Sequence, residues 1–535
     1  MLGWRKHSLN LYGNNLFYAA LFLGSFLLQF TWLYVLPLKS HNDDTHKGKM
    51  HWADAVFCLC IALAVSTLFR LFPGNHRIPM EDSSVFLYIG QQMKEGKVPY
   101  LDLFDHKGPI LYLIQYLGVL IAEKNFIGIW FLEALNILAT AALMLKLGQS
   151  VNGKRSSIYL AVLVSVGACG WKIWQGGNFT EEYALPWITL SAVIFLSFFR
   201  SRQYKKVEIV LLGVSFAVVF LLRANMIAVW AAWMPIVLVL FVREKRFQDI
   251  AVCIVCFLCG VVLVLVPVLL VAAHGGFLKA MWQDYILFNF SYTENAMSAG
   301  EYLKLMLYFC KVLWPGVLAL VLTLLLRPRN RSLWANALFF AVSLYTVTMS
   351  GRGYYHYSIV LLPVFVLPLT ELFEESGEII TGKNSDAERC RPAVMSVSFV
   401  LILAAAFLYR GLSAGEPLQE TAVKYIREHT EKDDDVLVLG NSCWYYLESD
   451  RKTENRFFYQ LPPAEISEEI YDQFILELAA QPSRLVLLPG VQGEREVTDI
   501  ALKEIREVLF SMGYRNEIYD EFEVFMLTDD RKAET

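Results

Sequence analysis

Long apolar runs separated by short polar loops dominate the first 412 residues of the chain. A run of roughly 17 to 25 apolar residues is long enough to cross a bilayer. Runs of about this length fall near residues 16–36, 53–72, 126–146, 157–174, 183–199, 250–273, 303–326, 333–349, 356–374 and 393–411. A further stretch, 207–242, is broken near Arg223 and Asn225 and is typical of two short spans. The pattern predicts an α-helical polytopic membrane protein with about 12 spans.

The segment 109–122 is apolar but shorter than these runs, and it begins at a proline. Its length favours a re-entrant or interfacial helix. Loops rich in Lys and Arg face the cytoplasm, which here places the loop 73–109 and everything after residue 412 outside. Two alternatives stay open: residues 16–36 lie flat on the membrane, or 109–122 does cross it.

The tail, residues 413–535, has the pattern of a small extracytoplasmic α/β domain. Segments with helical periodicity alternate with short apolar strands, which predicts a doubly wound sheet. The helical segments are 421–429, 468–480 and 500–512, and the strands are 436–439, 484–488 and 523–527. The segment Gly411–Pro417 is the predicted linker to the membrane domain, residues 1–412.

Composition agrees with this division. The chain is 56% hydrophobic and only 18% charged, with a net charge of −4. Residues 413–535 hold 13 Lys and Arg against 27 Asp and Glu, so the membrane domain is positive and the tail negative. No Lys- and Arg-rich tract is present, which argues against nucleic acid as a partner.

The outer loop 73–109 concentrates ionisable residues beside the membrane. Such residues are energetically costly there and indicate a functional site by default. Among them, the candidates for such a site are Glu81, Asp82, Asp102, Asp105, His106 and Lys107.

Asp82 begins a segment whose periodic apolar residues predict a short amphipathic helix on the membrane surface, ended by Gly96. As a helix cap, Asp82 would satisfy free backbone N–H groups. As a functional group, it would be a carboxylate held in place as a general base. The two roles are compatible, because a cap also fixes the side chain.

The string DLFDHKGP at 102–109 has two interpretations. It is either a solvated turn closed by Gly-Pro, or an anion site in which Lys107 and the N-terminus of the following helix attract a phosphate.

Other polar groups fall in predicted outer loops. In GRGYYHY at 351–357, Arg352 and His356 either belong to an aromatic belt or bind a phosphate group. Arg223 either snorkels or assists them. Glu181 and Glu182 either start an exposed helix or bind an acceptor or a metal. Asp102, Asp105, Glu181 and Glu182 could support a divalent cation, but they form no recognisable metal motif, and no cofactor is predicted with certainty.

The outer loop resembles that of the membrane glycosyltransferases of the GT-C fold. The matching residues are Asp82, Glu95-Gly96, Pro99-Tyr100-Leu101-Asp102 and Asp105-His106-Lys107-Gly108-Pro109. The subgroup it is most similar to contains the protein O-mannosyltransferases, the aminoarabinose transferases and the rhizobial core-sugar transferases, a family 39-like group. Ser83 stands where that family often has a second acidic residue, and Lys-Gly-Pro replaces its usual Lys-Pro-Pro.

The resemblance implies an enzyme of the bacterial plasma membrane. It would transfer a sugar, with inversion, from a polyprenyl-phosphate-linked donor to a cell-envelope acceptor on the outer face of the bilayer. Asp82 would match the catalytic base and Lys107 the contact to the lipid phosphate. Two other classes stay open: a transporter or flippase of lipid-linked saccharides, and a binding or regulatory membrane protein with a sensor tail.

Overall fold

The computed structural model describes residues 52–73, 78–79, 81–151, 155–169, 173–174, 176–292, 298–381, 418–440, 442–459, 467–489, 499–519 and 522–527. The predicted spans 16–36 and 393–411 and the predicted linker lie outside these residues. The division into domains 1–412 and 413–535 therefore stays a prediction.

Helices make up most of the described part of residues 52–381. They are α1 (Trp52–Ser66), α2 (Glu81–Lys94), α3 (Pro109–Ile121), α4 (Ile127–Gln149), α5 (Arg155–Leu163), α6 (Thr180–Ser201), α7 (Lys206–Leu222), α8 (Ala228–Arg243), α9 (Phe247–His274), α10 (Leu278–Met281), α11 (Phe288–Tyr292), α12 (Ala299–Val312), α13 (Trp314–Leu326), α14 (Arg331–Thr348) and α15 (Leu362–Thr381). Helix α5 continues as a π-helix over Val164–Cys169, a second π-helix covers Trp282–Leu287, and 3-10 turns cover Lys124–Phe126, Ala224–Met226 and Tyr355–Leu361.

Four of the described helical stretches are long and apolar enough to cross a membrane. They are Lys124–Gln149, Thr180–Ser201, Phe247–His274 and Tyr355–Glu374. Shorter apolar helices, of 10 to 17 residues, include α3 and α8. The predicted break of 207–242 into two helices at Arg223 and Asn225 is confirmed, with α7 ending at Leu222 and α8 beginning at Ala228.

The run 303–326 differs from its prediction as one straight span. Helices α12 and α13 meet at a bend of 93°. Leu313 ends α12, and Pro315 occupies the first turn of α13. Proline lacks the N–H that a continuous helix needs and is tolerated in a first turn, so the chain restarts here instead of continuing.

The tail contains α16 (Leu418–His429), β1 (Val436–Val438), α17 (Trp444–Ser449), α18 (Glu468–Ala480), β2 (Leu485–Pro489), α19 (Asp499–Ser511), β3 (Tyr514–Tyr519) and β4 (Phe522–Leu527). The sheet order is β1-β2-β4-β3. Only β1 and β2 are parallel; β4 pairs antiparallel with both β2 and β3.

The doubly wound prediction for this sheet was wrong for a physical reason. Two residues separate β3 from β4, too few for the crossover that parallel pairing requires. Strand β3 was also missed, because its central residues Arg515, Asn516, Glu517 and Ile518 are exposed and lack an apolar alternation.

The described residues form two compact units by their contacts. The first lies within Met1–Asn75, Trp130–Pro267 and Met297–Ala414. The second lies within His76–Ile129, Val268–Ala296 and Gly415–Thr535, so it combines the outer loop with the tail.

Helix α2 is buried in the second unit and does not lie on a membrane surface as predicted. Its residues Val85, Phe86, Leu87, Tyr88 and Ile89 are all at most 2% exposed. One flank packs on α3 and another on α17. The amphipathic pattern could not reveal the second buried flank, because the residues that cover it come from the tail.

Helices α7 and α9 of the first unit approach each other closely at a pair of glycines. A methyl group on Gly213 would lie 2.0 Å from the backbone oxygen of Phe257, and one on Gly260 would lie 2.0 Å from that of Val210. Small residues allow such backbone approach between apolar helices. The phenyl rings of Phe216 and Phe257 pack beside the crossing.

We expect Gly213→Ala to destabilise the protein by about 1 to 3 kcal/mol, because the added methyl group must push two backbones apart. Thermal unfolding in detergent measures the change. Gly300→Ala in α12 is the matched control, since no atom lies within 4 Å of the added methyl group. Equal unfolding temperatures for the two variants would contradict the close crossing.

Candidate functional site

The loop between α2 and α3 contains a tight turn, residues 98–103, that is held by hydrogen bonds within the loop. The Asp102 carboxylate accepts a hydrogen bond from the Val98 N–H at 2.7 Å. Tyr100 has a φ of 68°, a left-handed conformation that a bulky residue adopts at a cost of about 1 to 3 kcal/mol. Its N–H donates to the Leu103 carbonyl, and its hydroxyl donates to the Lys107 carbonyl at 2.8 Å. This turn therefore sets the backbone position of Lys107.

Asp105 lies at the centre of the second unit's polar cluster and is 1% exposed. Its carboxylate accepts hydrogen bonds from Tyr112 Oη at 2.9 Å, Tyr459 Oη at 3.0 Å and the His106 N–H at 2.7 Å. Burial raises the pKa of Asp105, whereas the Lys107 charge and the hydrogen bonds from Tyr112 and the His106 N–H oppose the rise. Asp105 is thus held within a closed set of donors, not in the solvated turn that was one interpretation.

Lys107 is 7% exposed. It precedes Gly108, the N-cap of α3, and the helix begins at Pro109. Its Nζ lies 2.9 Å from His106 Nε2. Its backbone N–H donates to Tyr112 Oη at 3.2 Å. A buried ammonium group at the positive end of a helix dipole is suited to bind an anion.

Asp82 is the second residue of α2 and is half-buried. Burial is the main reason that the pKa values of Asp105 and Tyr459 are raised, and the negative charge of Asp82 raises both further, so Asp82 lies within electrostatic range of the two. Glu81, the other acidic candidate there, is the first residue of α2. The structure therefore brings Asp82, Asp105 and Lys107 together, whereas the Asp102 carboxylate stabilises its own turn.

Arg456 of the tail contacts the turn at Tyr100 and the carboxylate of Asp284. Its guanidinium group donates to the Tyr100 carbonyl through Nε at 3.1 Å and Nη2 at 3.0 Å. Nη2 also lies 2.5 Å from the Asp284 carboxylate. Burial raises the pKa of Asp284 to about 6, and the Arg456 charge opposes that rise. Asp284 is therefore mainly ionised at neutral pH and can pair with Arg456.

A second cluster belongs to the first unit. Glu181 and Arg223 form a largely buried ion pair, and the Arg223 guanidinium lies 4.1 Å from the centre of the Tyr357 ring. A small cavity beside the pair is also lined by Asn225 and Ser343. Asn225 Oδ1 and Ser343 Oγ, which line this cavity, have no hydrogen-bond partner among the described residues.

The interpretation of Glu181 and Glu182 as an exposed helix start is wrong. They are 2% and 0% exposed. Glu182 accepts a hydrogen bond from the Asn178 N–H at 3.0 Å, within a Gly-Gly-Asn turn of positive φ. A Cβ on Gly177 would lie 2.4 Å from Glu133 Oε1, so this turn needs glycine to pass the carboxylate.

His356 and Arg352 also lie in the first unit. The His356 ring stacks on Phe179 at 4.2 Å and meets Tyr357 edge-on at 4.8 Å. His356 is 6% exposed, and Arg352 is half-buried in the loop before the 3-10 turn.

Sequence reasoning missed several members of these clusters. Tyr459, Arg456 and Asp284 gave no local signal, because their partners are far away in the chain. Glu133 did give one. It is an ionisable residue inside the apolar run 126–146, which by itself indicates a functional or paired group. It is fully buried, and neither of its carboxylate oxygens has a hydrogen-bond partner among the described residues.

The donor set does not favour a metal centre. Within the described residues, no group of three or more His, Cys, Asp and Glu side chains lies close enough together to hold a metal ion. Both carboxylate oxygens of Asp105 and one of Asp102 accept hydrogen bonds from the protein.

Comparison with solved structures identifies the fold. ArnT from Cupriavidus metallidurans bound to undecaprenyl phosphate aligns with a TM-score of 0.56 at 12% identity, over 89% of this chain and 98% of ArnT. The apo form of that protein gives 0.54 at 12% identity, over 88% and 97%. An oligosaccharyltransferase from Archaeoglobus fulgidus, in complex with Zn and sulfate, gives 0.46 at 13% identity, over 81% and 68%. The predicted resemblance to the GT-C fold is confirmed, and the protein is a membrane protein of that architecture.

Comparison by sequence gives the family. No curated protein matches the chain. The family model described as "Putative competence-induced protein Ccs4 N-terminal domain" matches residues 43–410, about two thirds of the chain. The chain therefore belongs to the competence-induced Ccs4 family.

Proposed function

We propose that this protein transfers a sugar from a polyprenyl-phosphate-linked donor to a cell-envelope acceptor on the outer face of the membrane. The observation that carries the proposal is the grouping of Asp82, Asp105 and Lys107 in the second unit. A carboxylate and a buried ammonium group are the two charges that this reaction requires at one place. The fold shared with ArnT, whose structure contains undecaprenyl phosphate, supports a lipid phosphate as the carrier.

The reaction we propose is a single inverting displacement. The acceptor hydroxyl attacks C1 of the sugar and loses its proton to the Asp82 carboxylate. The bond between C1 and the phosphate oxygen breaks, and its electron pair leaves with the lipid phosphate. A general base contributes about 10² to 10⁴ in rate, because a hydroxyl is a weak nucleophile at neutral pH.

Lys107 has the second role in the proposal. The departing lipid phosphate gains negative charge, and a preorganised cation in a dry site stabilises such charge better than water does. Lys107 is buried at the start of α3, where the positive end of the helix dipole adds to its charge. Asp105 and His106 lie beside it and set its local field.

The first unit keeps separate candidates for substrate contact. Glu181, Arg223 and Tyr357 border a cavity with unpartnered polar atoms, which suits a ligand that carries hydroxyl groups. We retain Arg352 and His356 as candidate contacts on the basis of the sequence alone. The choice of sugar and acceptor is left to the assay.

The test of function is incubation of purified protein in detergent with polyprenyl-phosphate sugars, followed by mass spectrometry of the lipid and product fractions. Detergent removes the two compartments that a flippase needs, so donor consumption there supports a transferase. Intact donor in detergent, together with movement of the lipid-linked sugar across vesicle bilayers, would favour the transporter.

We expect Asp82→Asn to lower the rate of sugar transfer by about 10² or more, because the amide cannot take the hydroxyl proton. Binding of the lipid donor should persist. The matched control is Glu123→Gln, which removes an exposed carboxylate of the same unit that pairs with Lys94. Transfer by Asp82→Asn at the control's rate would remove Asp82 from the mechanism.

We expect Lys107→Met to weaken donor binding by about tenfold or more, since a hydrogen bond to a charged group contributes about 1.5 to 3 kcal/mol. Titration with undecaprenyl phosphate measures the affinity. Lys94→Met is the control, because its ammonium group is 43% exposed and pairs with Glu123. Unchanged affinity in Lys107→Met would exclude the clamp.

A further inference from the structure

The tail contributes two side chains to the loop that carries Asp105 and Lys107. Arg456 and Tyr459 lie on a short segment between α17 and α18. Both belong to the second unit, as does the loop. Neither was identified from the sequence, and the reaction proposed above gives them no role.

Arg456 forms hydrogen bonds to the loop through both its backbone and its side chain. Its carbonyl accepts the Phe104 N–H at 2.8 Å, and its guanidinium group binds the Tyr100 carbonyl twice, at 3.1 and 3.0 Å. The guanidinium also lies 5.2 Å from the centre of the Phe104 ring. The Asp284 carboxylate lies 2.5 Å from Nη2, the same nitrogen that donates to Tyr100. The guanidinium hydrogen bonds are thus made to Tyr100, the residue of the turn with the strained φ.

Tyr459 reaches the other end of the same loop. Its hydroxyl donates to Asp105 Oδ1 at 3.0 Å, while Tyr112 serves Oδ2. Tyr459 is 5% exposed, so no water replaces this donor readily. With a phenylalanine there, Oδ1 would lose this donor and keep its contacts to His106, the backbone N–H at 2.7 Å and the ring Nδ1 at 3.5 Å.

The loop is also part of the tail's hydrophobic core. Phe104 is 3% exposed and packs in one cluster with Phe457 and Phe474 of the tail and Phe288 of the 268–296 segment. Burying a phenylalanine side chain contributes a favourable free energy that would be lost if the tail moved away. We therefore expect the loop to be ordered only when it packs against the tail.

We propose that Arg456 and Tyr459 are positioning residues for the donor-phosphate site, and that the tail is an integral part of that site. This inference rests on the proposed function. Arg456 holds the turn at Tyr100, whose hydroxyl fixes the Lys107 carbonyl. Tyr459 holds Asp105, a carboxylate that interacts electrostatically with Lys107. The tail thereby fixes both the place and the field of the ammonium group without touching the donor.

The experiment compares Tyr459→Phe and Arg456→Lys with the full-length wild type. Arg456→Lys keeps the charge but loses the planar fork that reaches both Tyr100 and Asp284. Tyr471→Phe is the matched control: it removes another tail hydroxyl, one that donates to Glu504 at 2.9 Å. Two readouts are taken, hydrogen exchange of the amides in residues 99–108 and affinity for undecaprenyl phosphate in detergent.

We expect exchange in residues 99–108 to be about tenfold faster in both variants, and affinity for undecaprenyl phosphate to fall by about tenfold, with Tyr471→Phe like wild type. Exchange and affinity equal to the control would overturn the inference. So would faster exchange with unchanged affinity, because the residues would then order the loop without affecting the phosphate.

Failure of the proposed function looks different. If wild type binds no undecaprenyl phosphate while exchange still quickens in the two variants, the tail does position the loop but the ligand is not a lipid phosphate.

Discussion

The burial of the Asp105 carboxylate is the constraint on which the second unit depends. A carboxylate taken out of water costs several kcal/mol unless donors and a nearby cation compensate it. Here the donors come from three places: the loop's own backbone at His106, α3 through Tyr112, and the tail through Tyr459. None of these segments alone could satisfy the group. The buried charge therefore requires the loop, the following helix and the tail to be folded at the same time.

This requirement explains which parts of the unit the sequence could predict. The helices α16, α18 and α19 and the strands β1, β2 and β4 lie within a few residues of their predicted bounds, because local periodicity determines them. Helix α2 has the predicted extent, but its environment was mispredicted, since Tyr446 and Phe458 of the tail cover Tyr88. The pattern of the 14 residues of α2 cannot reveal that residues more than 350 positions later in the chain pack over the helix.

The same distinction holds for the candidate site. Asp82, Asp105, His106 and Lys107 were recognisable because polar residues between apolar segments are unusual and need an explanation. Their partners Arg456 and Tyr459 were not recognisable, since an arginine and a tyrosine in a polar tail are ordinary. In the first unit the opposite error occurred. Glu181 and Glu182 had the composition of an exposed helix start, yet both are buried, Glu181 in an ion pair with Arg223 and Glu182 in a hydrogen bond from the Asn178 N–H.

The left-handed Tyr100 shows how these levels combine. A tyrosine does not adopt this conformation for local reasons, so other contacts must offset a strain of about 1 to 3 kcal/mol. The turn's own bond to Leu103 and the two bonds from Arg456 supply them. Once held, the residue directs its hydroxyl to the Lys107 carbonyl at 2.8 Å. The strained backbone of Tyr100, its hydrogen bonds from Arg456 and the backbone position of Lys107 therefore depend on one another. A change at any of the three should be felt at the ammonium group.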